Sequence, residues 1–145
     1  MAIIEETVEI KCPVDKVFTY VADAKNWPKW NMALLEAEQT SSGQMGNGAT
    51  FRGANKVMGR RMAWTSKVSE YEPNKKWRET ISSGSTLIEE HLTFDSTGEG
   101  TKFTQVYDVK VGGFLKLFAP IMISTMRKQM KTNLSTLKNI LETQA

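Results

Sequence analysis

Residues 113–145 limit what this chain can fold into more than any other stretch. Apolar side chains recur there at Leu115, Phe118, Ala119, Met122, Met126, Met130, Leu134, Leu137 and Leu141. Steps of three and four put side chains on one face of a helix. Lys116, Arg127, Lys128, Lys131 and Lys138 fall mostly between them, so the other face is charged. The spacing predicts one long helix, with Gly112-Gly113 as the break before it. Pro120 interrupts the pattern: without an N–H, and crowding the preceding turn, it either kinks the helix or marks a short first turn. A helix of this length must bury its stripe against something.

The preceding residues say what that partner is. Residues 3 to 11 alternate around Thr7, Val8, Glu9 and Ile10 and read as a strand ended by Cys12-Pro13. Pro13 suits the first turn of a helix, and Val14, Val17, Phe18 and Val21 form its short apolar stripe. Asp23 to Asn31, with Trp27, Pro28 and Trp30, reads as a second short helix or turn. From Ala33 to Val111 the period changes to two, with strands near 33–40, 49–57, 60–71, 76–83, 86–95 and 101–110. Gly43 to Gly48, Met58-Gly59, Pro73-Asn74, Ser83-Gly84-Ser85 and Ser96 to Gly100 punctuate them. Links this short favour antiparallel hairpins. The order is one strand, two short helices, six strands and one long helix. It indicates an α+β fold, a single domain over 1–145 with helices on one face of a curved seven-stranded sheet. A sheet that curls round a long helix cannot meet it evenly everywhere, and a gap between them is a natural ligand cavity.

Several function classes find no support. No apolar run approaches the roughly 20 residues that cross a bilayer. The first residues lack a basic start and an apolar signal core, so a cytoplasmic protein is expected. One cysteine, Cys12, excludes an internal disulfide, and one histidine, His91, excludes a multi-histidine metal site. Gly43-x-x-Gly46-x-Gly48 lacks the lysine of a phosphate loop and reads as a turn, and no Gly-x-Ser-x-Gly elbow occurs. Neither metal nor cofactor is expected. Arg60-Arg61 and Lys75-Lys76-Trp77-Arg78 mix bases and aromatics, but strand alternation divides them between faces, so no nucleic acid partner is expected. Lys116, Arg127, Lys128 and Lys131 lie on a helix face that reads first as simply solvated and allows at most a weak peripheral membrane contact without stable insertion. The oligomeric state stays open.

Four stretches carry a resemblance. They are Val8-Glu9-Ile10-Lys11-Cys12-Pro13-Val14-Asp15-Lys16-Val17-Phe18, Asn26-Trp27-Pro28-Lys29-Trp30, Trp64-Thr65-Ser66-Lys67-Val68-Ser69-Glu70-Tyr71-Glu72-Pro73 and Gly98-Glu99-Gly100-Thr101-Lys102-Phe103-Thr104. In this order and spacing the chain resembles the START/Bet v-like superfamily, and within it the polyketide cyclase/dehydrase and lipid-transport (SRPBCC) family. The resemblance implies a helix-grip fold: an antiparallel sheet wrapped round the C-terminal helix and enclosing a hydrophobic pocket. It implies no single reaction, since members bind lipids, sterols, hormones or polyketides and some catalyse cyclisation or dehydration.

Candidate site residues follow from strand faces. Trp30, Phe51, Met62, Trp64, Trp77, Phe103 and Tyr107, with Phe118, Met122 and Met126 from the helix, form an aromatic and methionine set that suits an adaptable pocket. Phe114 and Met130 extend it. Plain core packing is the alternative for each. Glu79 lies between Trp77 and Ile81 on one strand face and Glu90 between Ile88 and Leu92 on another; in apolar surroundings a carboxyl has a raised pKa and can act as acid or base. Glu79 could instead pair with Arg52 or Arg61, or lie near the mouth in water. The Tyr107 hydroxyl could orient a polar group of a ligand. His91 shares its face with Leu87, Glu89 and Thr93, which points it to solvent. Two functions are carried forward: binding of a small hydrophobic molecule, or a cyclase/dehydrase-type enzyme using Glu79, Glu90, His91 or Tyr107.

Overall fold

A computed structural model describes residues 2–144. Strand β1 (Ala2–Ile10) leads through Pro13 into helix α1 (Val14–Ala22), then a 3-10 turn (Ala24–Asn26) and the short helix α2 (Trp27–Trp30). Pro13 caps α1 and Asp15 occupies its first turn, where an acid complements the helix dipole. Six strands follow: β2 (Leu34–Gln39), β3 (Thr50–Val57), β4 (Arg60–Glu72), β5 (Lys76–Ser83), β6 (Thr86–Ser96) and β7 (Thr101–Lys110). A 3-10 segment (Gly113–Phe118) then leads into helix α3 (Ala119–Thr143).

The strands form one antiparallel sheet in the order β1-β7-β6-β5-β4-β3-β2. Each consecutive pair from β2 to β7 is a hairpin, while β1 reaches the far edge beside β7 because α1 and α2 intervene. Met58 and Gly59 both take positive φ, the conformation a two-residue turn requires between twisted strands. Register breaks between Leu34 and Glu36 and between Val68 and Glu70 mark bulges, where a strand bends and its twist increases.

Pro120 does not kink the long helix. It occupies the first turn of α3, where its missing N–H has no partner to lose. Residues 113–118 are a separate 3-10 segment, so the single helix expected from Gly113 is in fact two pieces. Ala145, the expected end of that helix, lies outside the described residues.

Contact between α3 and the sheet is uneven. In its C-terminal half Leu134, Leu137 and Leu141 are buried. Lys138 donates to the Glu9 carbonyl at 2.6 Å, and the Lys11 N–H donates to Glu142 at 2.9 Å, tying that half to β1. The inner face of the N-terminal half carries Met122, Thr125, Met126 and Gln129, which line an internal space instead. Among these contacts Leu137 is 0% exposed. Leu137→Ala should therefore lower the free energy of unfolding in urea by about 2–5 kcal/mol. Lys128→Ala, on the exposed face, should change it by no more than about 0.5 kcal/mol.

Candidate functional site

The space between the N-terminal half of α3 and the concave face of the sheet is a cavity of about 200 Å³. Trp27, Trp30, Trp64 and Trp77 all contribute to its wall, with Met58, Met62, Met122, Met126 and Met130. Residues of α2 and the link after it close one side, where Asn133 of α3 accepts from the Met32 N–H at 3.0 Å and donates to Asn31 at 3.3 Å. The indole of Trp64 donates to Asn55 at 2.9 Å, which holds that ring against the cavity.

Sheet register builds the polar part of the wall. Glu79 on β5 stands opposite Glu90 on β6, and Glu90 stands opposite Tyr107 on β7. All three point to the concave face and line the cavity as one cross-strand row. The next row is Trp77, Leu92 and Gln105. The Trp77 indole donates to Glu79 at 3.2 Å, and Gln105 donates to Glu90 at 2.5 Å. Gln105 also lies 3.5 Å from the Tyr107 hydroxyl.

Both carboxyls are buried, Glu79 at 4% and Glu90 at 7% exposure, and among the described residues neither has a cationic partner. Burial raises the pKa of Glu79, against the opposing indole hydrogen bond. Burial also raises that of Glu90, well above its ordinary value, and the negative charge of Glu79 across the strand pair raises it further. Tyr107 is raised well above 10, by burial first and then by the two carboxylates, so its hydroxyl stays a donor at neutral pH. The row thus offers two buried carboxyls with raised pKa and a phenol side by side. Such a set can donate to a carbonyl or hydroxyl oxygen, or exchange a proton with it.

The structure brings most of the sequence candidates together. Trp30, Met62, Trp64, Trp77, Glu79, Tyr107, Met122 and Met126 line the cavity, and so does Glu90. Three aromatic candidates do not. Phe51 is in the core against Trp27, and Phe103 packs on Trp30 and Phe94; the rings of α2 stand between Phe51, Phe103 and the cavity. Phe118 faces outward with Phe114, because three residues per turn rotate the 3-10 segment out of register with α3. His91 is on the convex face between Arg78 and Val106, away from the cavity. Glu79 meets no arginine: Arg52 pairs with Glu38 and Arg61 with Glu36, at the exposed β2–β3–β4 side. Nor does it stand in water at the mouth. Thr125, Gln129 and Asn133 also line the cavity, and the one sequence signal for them is their helical spacing with Met122, Met126 and Met130; for Gln105 it is the strand alternation it shares with Tyr107.

A family model for polyketide cyclase/dehydrase and lipid transport matches residues 1–142. The chain belongs to this family. No curated protein matches it. Among solved structures, TTHA0849 of Thermus thermophilus superposes with a TM-score of 0.82 at 16% identity, over 99% of each chain. A START superfamily protein of Mycobacterium smegmatis gives 0.79 at 15% identity, also over 99% of each. Ara h 8.0201 gives 0.71 at 16% identity over 97% of each. At such identities the likeness is one of fold, and it agrees with the helix-grip arrangement seen in this polyketide cyclase/dehydrase and lipid-transport family member.

The unpaired carboxyls make stability depend on pH. Below about pH 4 both are protonated, folded or unfolded, and cost little. As pH rises through 4.5, the ordinary carboxyl value, the unfolded chain ionises freely while the folded one holds its protons, so stability falls up to the raised folded value. Glu90→Gln keeps the Gln105 contact and removes one ionisation. Its melting temperature should exceed that of wild type at pH 8 and match it near pH 4; equal curves across the range would show that Glu90 is not held protonated.

Proposed function

We propose that this protein binds a small, mainly hydrophobic molecule in the cavity between α3 and the sheet. The observation that carries the reading is a 200 Å³ space walled by tryptophan and methionine with one buried polar row. An apolar cavity of about 150 Å³ accepts benzene, so the space as it stands suits a molecule of one or two rings. A longer lipid or polyketide chain needs the methionine side chains to move, which their flexible thioethers allow. Apolar burial supplies the affinity, and Glu90, Tyr107 and Glu79 orient the polar end of the guest.

A second reading rests on the row itself. Two buried carboxyls and a phenol aligned in a mainly apolar cavity suit proton transfer in a cyclisation or dehydration of an aromatic precursor. Glu79→Gln separates the two: an enzyme would keep its guest and lose turnover, whereas for a carrier the change would alter only affinity.

Prodan, a two-ring dye with a carbonyl acceptor and polarity-sensitive fluorescence, tests the binding reading. It should bind with one-to-one stoichiometry and a blue-shifted emission. Met126→Trp, which fills the middle of the cavity, should weaken binding at least about tenfold while leaving the protein folded. Prodan that binds Met126→Trp as well as wild type would remove the cavity from the account.

A further inference from the structure

The exposed large apolar side chains are all at one end of the sheet. Phe114, Leu117 and Phe118 come from the 3-10 segment and Ile121 from the first turn of α3. Met58 tips the β3–β4 turn, and Leu87 opens β6. The remaining ones begin β1 and lie around the start of β2, which strand pairing places at the same end. Among the described residues, the turns of the opposite end expose no large apolar side chain. Phe114 is 77% and Leu117 81% exposed, so neither serves the core. Exposed apolar side chains gathered at one end of a fold mark a place of contact.

Its charge says with what. Lys56, Arg60, Lys110 and Lys116 are exposed at this end, and none forms an ion pair with a described residue. Glu36 is neutralised by Arg61, while Glu89, which accepts from Thr80, half-buried Asp108 and exposed Glu5 lie on the β6–β7–β1 side near Lys110, away from Lys56 and Arg60 beside the β3–β4 turn. Protruding Phe and Leu beside exposed cations that form no ion pair match the boundary of an anionic bilayer, where rings and aliphatic chains enter the acyl region and cations meet phosphates. No helix among the described residues is long and apolar enough to cross a membrane, so the contact would be one of docking.

The cavity opens toward this end. Met58, Ser83, Thr86 and Leu115 belong both to its wall and to these turns. Leu115 faces in while Phe114 and Leu117, its neighbours in the same 3-10 segment, face out. The segment is held in place: a β-carbon on Gly112 would meet the Ser85 carbonyl at 2.5 Å, and Gly113 takes φ +63°. We infer that this end docks on an anionic lipid bilayer, Phe114, Leu117 and Ile121 entering the acyl boundary and the four cations meeting headgroups. A hydrophobic guest then passes between bilayer and cavity without crossing water. That last step rests on the binding reading above; the docking does not.

Co-sedimentation of the full chain with vesicles tests it. At low salt the protein should bind phosphatidylcholine–phosphatidylglycerol vesicles at least about tenfold more tightly than pure phosphatidylcholine vesicles. Phe114→Ser with Leu117→Ser should lose at least about tenfold in vesicle affinity at an unchanged melting temperature, since both residues are exposed. Lys116→Glu should reduce the preference for the anionic lipid. No pelleting with anionic vesicles, or equal pelleting of the double variant, overturns the inference. So does a dimer that dissociates in the double variant while vesicles pellet neither protein, which would make the surface a self-association face. Prodan binding in vesicle-free buffer distinguishes the two claims: the double variant should retain it, and its absence in a wild type that still pellets would end the cavity reading alone.

Discussion

Everything distinctive in this molecule depends on α3 gripping the sheet with only one of its halves. Leucines at 134, 137 and 141 are large, apolar and buried, and together with the Lys138 and Glu142 contacts to β1 they anchor that half. Toward the N-terminus the inward positions change to methionine alternating with threonine and glutamine. Such a stripe cannot interlock with a concave wall as branched aliphatic side chains do, and dispersion contacts that are not made leave space. The cavity is thus a consequence of composition along one helix and of register in the strands facing it.

Into this space the sheet projects two carboxyls that lower stability. Burying an ionisable group without a counter-charge is costly, and here two face each other across a strand pair. A core optimised only for packing would carry leucine or valine at 79 and 90, as it does at Val68 beside Glu79 and Leu92 beside Glu90. Local rules broken without a structural gain are expected where a protein does its work. The indole of Trp77 and the amide of Gln105 moderate the cost without removing it, and both reach in from the neighbouring row.

The fold was legible because its signals are periodic. Strand alternation, the turns at Met58-Gly59 and Gly84, and the apolar spacing of residues 122–141 each follow from local chemistry, and their order yields the sheet. Alternation also grouped Glu79 with Trp77 and Ile81, Glu90 with Ile88 and Leu92, and Tyr107 with Phe103 and Gln105, and it turned His91 toward solvent. What it did not contain was lateral register, so the alignment of those three in one row could not be read from any single strand. Phe51 and Phe103 have the right face but lie behind the rings of α2, a tertiary relation. Phe118 was assigned to a helical stripe that begins only after it, since a 3-10 segment has a different period. Thr125 and Gln129 carry no sequence signal of their own, because polar residues on a helix usually face water.

The central claim is that the interior beside Met122 and Met126 is open space lined mainly by apolar atoms. Xenon pressurisation of crystals measures this directly, because the gas enters apolar voids and scatters strongly. The account predicts a xenon site between Trp77, Met126 and the Glu79–Glu90 row. Crystals in which that region is filled by repacked side chains, with no xenon bound there, would contradict it.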